Sequence, residues 1–438
     1  MSLYMGIDLG STTTKAVLMD EQDRLLGWGI TNTRSDYHIA TSVAEKEART
    51  RARFALLWRN LEEDGLEVDL LRGLEQFFTL ETFRYRLHRL REFAFQQAEG
   101  GNRSLAGRLH QALEAIFQRL EETCAADAQI SQRLRTSFFR DLVGVSFMTL
   151  AESEAGRFEL DFEDVMGVYD AAILREENAV LDMDFAATLK RCPLLTGAQP
   201  PVAACLRRGV GAAARASLET DNMVGTGYGR QRLPFAEHQI RSEVLCHGLG
   251  AHYFFPATRT VLDIGGQDTK AIQLDEKGLA TNFQMNDRCA AGCGRYLGYV
   301  ADELNLTLDQ LGPMALKARR AVSVSSTCTV FAGVELRERL ELGEKREDIL
   351  AGLHRAIVLR AMSLLARSGG IHEEFTFTGG VARNPAVVQA LQTLTRKSYG
   401  TVTLNIHPDS IYTGAVGAAL YARRDLPAAA AVSLEEVS

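Results

Sequence analysis

Two short acidic turns of this 438-residue chain repeat each other at a distance of 255 residues. The first, DLGSTTTKAVLMDE, begins at Asp8, and the second, DIGGQDTKAIQLDE, begins at Asp263. Seven of the fourteen positions are identical. Each copy follows a short apolar run and predicts strand, glycine turn, strand, acidic turn and strand, the pattern of a β-meander. A repeat this widely spaced indicates two homologous half-domains rather than a solenoid.

The residue types in these turns suit a site for phosphate and a metal ion. A turn glycine lets backbone N–H groups approach phosphate oxygens closely, and hydroxyl side chains add donors. Carboxylates at strand ends can hold Mg²⁺ through water. Lys15 and Lys270 either neutralise phosphate or point to solvent. The predicted phosphate contacts are Gly10, Ser11, Thr12, Thr13, Lys15, Gly265, Gly266 and Gln267. The predicted catalytic residues are Asp8 and Asp263, which would hold Mg²⁺, and Gln267 or Asp268, which would orient a water molecule that attacks the phosphate.

A third glycine-rich element lies at FTFTGGVARN, residues 375–384. An alternating strand runs into Gly379 and Gly380, and a helix is predicted to begin near Asn384. This arrangement can hold adenosine or phosphate against the backbone. Further on, YTGAVGAALYA (residues 412–422) predicts a helix of small residues suited to close packing between the half-domains.

Together the paired turns, the TGG element and the small-residue helix resemble the phosphate and adenosine motifs of the acetate kinase, sugar kinase, Hsp70 and actin ATPase superfamily. The resemblance implies an α/β fold with two ribonuclease-H-like half-domains and ATP bound between them. We expect the long stretch between the two meanders to contain a mainly helical insertion.

Two of the seven cysteines stand at predicted helix starts, Cys289 in MNDRCAAGCGRYLG and Cys328 in VSSTCTVFAGVELRERLE. The helix dipole there favours thiolate, as ligation of a metal cluster requires. A 4Fe–4S cluster takes four cysteines, so two chains that share one cluster would each supply two of its ligands. Buried structural cysteines remain an alternative, as does zinc bound through Cys289 and Cys293. Cys124, Cys192 and Cys205 are expected in cores.

A narrower family is identified from NFQMNDRCAAGCGRYLG, SSTCTVFA, VLDIGGQDTKAI, VGTGYGR and TGGVARN. These segments resemble the ATPase activators of 2-hydroxyacyl-CoA dehydratases and the related ATPase subunits of benzoyl-CoA reductases. The resemblance implies that Cys289 and Cys328 ligate a 4Fe–4S cluster at a subunit interface, with ATP and Mg²⁺ in the cleft. The segment RSEVLCHGLGA contains Glu243, Cys246 and His247, which either line the nucleotide cleft or have a structural role.

The insertion decides between these relatives. A stripe of apolar residues at helical spacing favours an internal core over a partner groove; its members are Leu105, Leu109, Leu113, Ile116 and Leu120. So long an insertion favours a permanent benzoyl-CoA reductase subunit over a homodimeric activator. The predicted divisions are 1–33 and 196–258 for the first half-domain, 34–195 for the insertion, 259–425 for the second half-domain and 426–438 for a tail.

On this interpretation the protein hydrolyses ATP to drive electrons from reduced ferredoxin towards the reduction of benzoyl-CoA. Its expected partners are a shorter homologous ATPase subunit, with which it shares the cluster, two benzoyl-CoA-binding subunits and ferredoxin. The alternatives are a homodimeric dehydratase activator and a small-molecule kinase of the same superfamily. A kinase has no need of thiols at two helix starts.

Composition is that of an ordinary globular protein, with 46% hydrophobic and 24% charged residues. A net charge of −7 without a polybasic tail disfavours nucleic acid and anionic membranes as partners. The opening segment MSLYMGIDLG predicts a strand rather than a signal peptide. The odd number of scattered cysteines argues against a disulfide framework. We therefore expect a cytoplasmic protein without a membrane span.

Overall fold

The computed structural model describes residues 1–33, 36–63, 68–101, 103–126, 138–233, 235–286, 294–304, 306–324 and 329–425. The chain forms two compact units. One comprises residues 1–48 and 218–438, and the other comprises residues 49–217. The division falls within the first helix.

The described strands and α-helices follow in chain order. The strands are β1 (Leu3–Leu9), β2 (Thr13–Asp20), β3 (Leu25–Asn32), β4 (Asn222–Thr226), β5 (Thr260–Ile264), β6 (Thr269–Leu274), β7 (Ala280–Asn286), β8 (Phe375–Thr378) and β9 (Leu404–Asn405). The helices are α1 (Tyr37–Glu63), α2 (Val68–Gly100), α3 (Arg103–Ala126), α4 (Phe139–Arg157), α5 (Phe162–Glu177), α6 (Phe185–Lys190), α7 (Pro193–Thr196), α8 (Pro200–Arg215), α9 (Glu243–Phe254), α10 (Gly294–Glu303), α11 (Leu308–Ala315), α12 (Thr329–Glu341), α13 (Arg346–Arg367), α14 (Pro385–Tyr399) and α15 (Thr413–Arg424).

The first unit contains two sheets with the same local topology. In one the strand order is β3-β2-β1-β4, and in the other it is β7-β6-β5-β8-β9. Each begins with an antiparallel meander whose first strand then pairs in parallel with a later strand. Every residue of β1 and β5 is buried, as expected for central strands covered on both faces. The predicted α/β fold with two duplicated meanders is confirmed.

Helices α9 and α15 pack closely against each other, and α15 also packs against β1. Their contact needs small residues because the backbones nearly touch. A Cβ placed at Gly417 would overlap the Cys246 carbonyl, and one at Gly250 would overlap that of Thr413. A Cβ at Gly6 of β1 would overlap the Ala415 carbonyl. The small-residue helix predicted at residues 412–422 is therefore present and packs as its composition indicates.

The second unit is helical, and its helices α2, α3, α4 and α5 pack around a core of their own. Leu109, Leu113, Ile116 and Leu120 are at most 5% exposed, and Leu105 packs against the same core. The apolar stripe is therefore internal core rather than an open groove, as predicted.

The helical unit ends later in the chain than the predicted boundary at residue 195. Helix α8 lies within it, because Arg53 of α1 donates to the carbonyls of Ala213 and Ala214 at 2.7 Å each. A Cβ at Gly209 of α8 would lie 2.8 Å from Leu61 Cδ2. Residues 200–215 therefore pack with the helical unit rather than with the half-domain that follows.

One helix in the described part of the chain, α13, is long and apolar enough to cross a membrane by length and composition. Twelve of its residues are buried, and many belong to the core of the second half-domain, where they pack beside β8 and α14. The burial identifies α13 as a core helix of that half-domain.

Candidate nucleotide site

The two acidic turns occupy equivalent places in their sheets. Asp8 of β1 is opposite Lys15 of β2, and Asp263 of β5 is opposite Lys270 of β6. On the parallel side, Asp8 is opposite Thr226, and Asp263 is opposite Thr378. Each carboxylate therefore stands near the end of a central strand beside a threonine of the neighbouring strand.

A glycine in left-handed backbone conformation follows each of those threonines. Gly227 has φ of 95° and Gly379 has φ of 88°. A Cβ at Gly227 would lie 2.6 Å from Asp8 Oδ1, and one at Gly379 would lie 3.1 Å from Asp263 Oδ1. Both the conformation and the space therefore require glycine at the points where the chain passes the two carboxylates.

The first turn holds Asp8 beside a partly accessible lysine. Lys15 Nζ lies 3.1 Å from Asp8 Oδ2, and the two side chains are 12% and 6% exposed. A Cβ at Gly10 would lie 3.2 Å from the same Nζ. Ser11 and Thr13 are half-buried and Thr12 is exposed. The ammonium and the small side chains thus surround the turn as a phosphate cradle would require.

The second turn holds Asp263 in a more crowded environment. Thr378 Oγ1 donates to Asp263 Oδ1 at 2.8 Å. His247 Nδ1 lies 3.2 Å from the same oxygen, without the geometry of a hydrogen bond, and Lys270 Nζ lies 3.8 Å from Oδ2. Burial alone would raise the pKa of Asp263, but the charges of His247 and Lys270 and the Thr378 hydroxyl hold it well below its usual range.

Lys270 is surrounded by carboxylates. Its Nζ lies 2.6 Å from Asp268 Oδ2 and 3.0 Å from Glu243 Oε2, in addition to Asp263. The side chain is only 2% exposed. Burial would lower the pKa of Lys270, but the three carboxylates raise it above its ordinary value. The lysine is therefore a charged, buried centre, and neither Lys15 nor Lys270 simply points to solvent.

The two turns meet. A Cβ at Gly266 would overlap the side chain of Thr12 in the first turn. A Cβ at Gly414, in the first turn of α15, would lie 2.8 Å from His247 Nε2 and 3.2 Å from Asp8 Oδ2. The imidazole therefore lies between the two aspartates. Burial would lower the pKa of His247, but Asp263 raises it.

The segment at residues 375–384 has the predicted order of strand, glycine pair and helix start. Gly379 and Gly380 follow β8, and Asn384 caps α14 by accepting from the N–H groups of Ala386 and Val387 at 3.0 and 3.2 Å. Its amide nitrogen lies 3.0 Å from Nε2 of the buried His354. Both ends of the Asn384 amide thus have partners within the protein, and its contact with a nucleotide stays a prediction.

Cys289, Cys293 and Cys328 lie outside the described residues, but the helices that follow them are described. Helices α10 and α12 pack together: Arg337 Nη1 lies 2.7 Å from Glu303 Oε2, and Gly333 lies against the Tyr299 hydroxyl. The two cysteine segments therefore lead into neighbouring helices, which fits a pair of ligands for one group. In the described ranges, no three His, Cys, Asp or Glu side chains form a metal-binding group.

Helix α10 starts on the second of the two turns predicted to bind phosphate, the turn that follows Asp263 and is called the second phosphate turn below. The N–H groups of Gly294 and Arg295 donate to the carbonyl oxygens of Gly265 and Gly266 at 2.8 and 2.7 Å. A Cβ at Gly294 would lie 3.1 Å from the Gly265 oxygen, so the approach is close. The backbone that follows Cys289 is thus tied directly to a predicted nucleotide contact.

Several residues of this region did not stand out in the sequence. Thr226 and Thr378 face the two aspartates across parallel pairs, and Arg230 Nη1 lies 3.5 Å from Glu243 Oε1. The available signal was a Thr-Gly pair after an apolar strand, present at both Thr226 and Thr378. Cys246 is fully buried, and burial raises its pKa to about 12, which fits the structural alternative for this thiol.

Known proteins similar to this chain include three enzyme components. The activator of lactoyl-CoA dehydratase from Anaerotignum propionicum is 44% identical over 199 residues, covering 45% of this chain and 74% of that protein. The (R)-2-hydroxyglutaryl-CoA dehydratase activating ATPase from Acidaminococcus fermentans is 39% identical over 256 residues, covering 55% and 96%. A benzoyl-CoA reductase subunit from Thauera aromatica is 33% identical over 203 residues, covering 46% and 71%.

The fold has a solved counterpart in the activator of the 2-hydroxyisocaproyl-CoA dehydratase from Clostridium difficile with bound ADPNP. The TM-score is 0.52 at 23% sequence identity, with 100% of this chain and 98% of that chain covered. The two chains thus share a fold, and it is the α/β fold with duplicated meanders that the sequence predicted. A family model matches residues 5–422. The chain belongs to the BadF/BadG/BcrA/BcrD ATPase family.

Proposed function

We propose that this ATPase activates a separate 2-hydroxyacyl-CoA dehydratase by supplying it with an electron at the expense of ATP. The observation that carries the proposal is the pair of hydrogen bonds from Gly294 and Arg295 to the turn at Gly265 and Gly266. Through it, a change at the nucleotide phosphates acts directly on the helix that follows Cys289. A motion of this kind needs only a ligand that binds two conformations unequally.

In this proposal Asp8 and Asp263 hold Mg²⁺, and the glycine turns bind the phosphates. Both carboxylates are at most 4% exposed and lie near His247, and their oxygens are ligands of the kind that would hold Mg²⁺. Lys15 supplies positive charge to the phosphates. Because Asp268 is held by Lys270 at 2.6 Å, we assign the orientation of the attacking water to Gln267.

Cys289 and Cys328 would hold a 4Fe–4S cluster shared between two copies of the chain. Such a cluster supplies one-electron transfer at a potential set by charge, hydrogen bonds and solvent exposure. The segments before α10 and α12 contain the two ligands of each copy, and these two helices pack against each other. A ferredoxin is the expected external reductant that replaces each electron delivered, and the expected location is the cytoplasm.

The relatives favour this proposal over the benzoyl-CoA reductase interpretation that the long insertion suggested. Two dehydratase activators are 44% and 39% identical to this chain, whereas the benzoyl-CoA reductase component is 33% identical. Insertion length is a weak criterion because surface insertions are tolerated at modest cost.

The test is to purify the full chain alone under anaerobic conditions and measure iron, acid-labile sulfide and ATP hydrolysis. We expect about four irons per two chains and loss of iron in Cys289→Ser and Cys328→Ser. Cys205→Ser, on α8 of the helical unit, is the matched control and should keep its iron. Absence of iron from the lone protein and from every mixture with candidate partners would refute the shared cluster.

A second candidate is the ATPase component of a benzoyl-CoA reductase. The observation in its favour is that residues 49–217 form a compact unit of their own, which offers a permanent docking domain. Its partners would be a shorter homologous ATPase subunit, two benzoyl-CoA-binding subunits and ferredoxin. Iron that appears only when the shorter ATPase subunit is co-expressed would favour this candidate over the activator.

A further inference from the structure

Four charged side chains form a continuous chain from the loop after β4 to the second phosphate turn. Arg230 Nη1 lies 3.5 Å from Glu243 Oε1, and Glu243 Oε2 lies 3.0 Å from Lys270 Nζ. Lys270 Nζ lies 2.6 Å from Asp268 Oδ2. Glu243 is the first residue of α9, so it joins a loop of the first half-domain to the β5–β6 turn of the second.

The central contact of this chain is largely shielded from water. The side chain of Lys270 is 2% exposed and that of Glu243 is 14% exposed. In such surroundings the attraction between two charges is much stronger than at a protein surface. Movement of Glu243 therefore moves Lys270 with it, because separating a buried ammonium from its carboxylates is costly.

Both ends of the chain reach the predicted nucleotide contacts. At one end, Arg230 donates to the carbonyl of Gly227 at 3.0 Å, and Gly227 lies against Asp8. At the other end, Asp268 accepts at its carbonyl from the N–H of Gly265 at 3.0 Å. The same Gly265 accepts the hydrogen bond from Gly294 that starts α10.

We propose that Glu243 is a positioning residue that transmits nucleotide binding from the loop beside Asp8 to the start of α10. When nucleotide changes the position of the first half-domain loop, Arg230 and Glu243 carry that change through Lys270 to the Gly265 turn. This inference rests on the proposed function, since it concerns how the nucleotide site reaches the segment that contains Cys289. Glu243 is not among the predicted phosphate or Mg²⁺ contacts, and it acts through Lys270.

The experiment is hydrogen–deuterium exchange of the full chain in Mg²⁺ with ADP and with a non-hydrolysable ATP analogue, followed on peptides covering residues 294–303. We expect the wild type to differ in exchange there between the two nucleotides. Glu243→Gln should bind both nucleotides with little change in Kd and lose that difference. Glu237→Gln, the same chemical change at an exposed position six residues earlier, should retain it.

The outcomes separate the two proposals. A wild type that binds no nucleotide refutes the proposed function itself. A wild type that binds nucleotide without a difference at residues 294–303, or a Glu243→Gln variant that keeps the difference, overturns the role of Glu243 alone. Glu243→Asp, which keeps the charge, should restore part of the difference. If Glu243→Gln fails to fold, Arg230→Gln carries the same test, because it leaves Lys270 with all three carboxylates.

Discussion

Lys15 and Lys270 occupy the same position in the two phosphate turns, but their surroundings differ. Among the described residues Lys15 pairs with Asp8, and its side chain is 12% exposed. Lys270 is 2% exposed and lies within 4 Å of Asp263, Asp268 and Glu243. The duplicated backbone thus carries two different lysines, one beside a single carboxylate and one buried among three.

The third strands of the two meanders differ as well. Trp28 of β3 and Phe283 of β7 correspond at the 255-residue offset, and each faces an apolar residue of the second strand, Val17 or Ile272. Trp28 packs near Tyr412, with ring centroids 6.4 Å apart. Phe283 is 48% exposed. The same strand position is therefore partly covered in one half-domain and open in the other.

The largest expected difference between the halves comes from removing each lysine's charge. Lys270→Met leaves three clustered carboxylates without their ammonium and should lower the free energy of unfolding by about 3–5 kcal/mol. Lys15→Met leaves one carboxylate without its partner and should cost about 1–3 kcal/mol. Urea-induced unfolding of the nucleotide-free variants measures both. Equal losses would show that the two lysines play the same structural role.

The next largest effect concerns activity. Asp8→Asn should lower kcat/KM for ATP hydrolysis at least about 100-fold, since a bound metal ion stabilises transition-state charge by several kcal/mol. Asp8→Asn should also lose some stability because it breaks the ion pair with Lys15. Asp263→Asn should lose more stability as well as activity, because Thr378, His247 and Lys270 all approach Asp263. Glu21→Gln, at an exposed position, is the control. Unchanged ATP turnover in Asp8→Asn would contradict the assignment of Mg²⁺ to this residue.

A smaller effect tests the covered and open strands. Trp28→Ser should cost about 2 kcal/mol of unfolding free energy because its ring loses packing with the core. Phe283→Ser should change it by less than about 0.5 kcal/mol, as for most surface substitutions. Thermal unfolding of both variants with the wild type provides the comparison. A large loss in Phe283→Ser would mean that this strand face is covered in the protein as purified.

The smallest effect concerns a different pair of turns, those that follow the second strand of each meander. Asp20 and Asp275 each accept two backbone N–H groups, two and four residues further on. Burial raises the pKa of Asp20, but these bonds and Arg24 leave it lowered overall. In Asp275 the Leu279 N–H contributes most to lowering the pKa.

Because both pKa values are lowered by folding, the stability they provide is present above the unfolded value of about 3.9 and is lost as pH falls through the folded values. Asp20→Asn should therefore lose less stability than the wild type between about pH 5 and pH 2. Asp275→Asn should show a weaker change because this residue is less buried. Acid-induced unfolding curves of the two variants and the wild type test the order. Identical curves would contradict it.

Local patterns were sufficient for much of the fold. The offset of 255 residues predicted both meanders, and Asn384-Pro385 predicted the start of α14. The apolar stripe from Leu105 to Leu120 predicted a helical core. Each of these depends on side chains a few residues apart, whose spacing matches the period of a helix or strand.

The boundary of the helical unit and the partners of Lys270 were not predictable in this way. Helix α8 belongs with the helical unit because Arg53, some 160 residues earlier, reaches its last carbonyls. Glu243 meets Lys270 because α9 packs against the second sheet, and no local sequence pattern predicts that contact. Such pairs depend on how distant segments pack.

The sequence by itself therefore determined the duplicated strands, the glycine turns, the two aspartates and the family. Each of these can be recognised from short sequence motifs or from the repeat at 255 residues. Only the tertiary structure decided that Lys270 is held by three carboxylates while Lys15 keeps one. It also decided that α10 begins on the second phosphate turn. The physical reason is that burial and charge pairing are properties of an environment assembled from separate segments, and identical residues in identical turns acquire different roles when different helices pack against them.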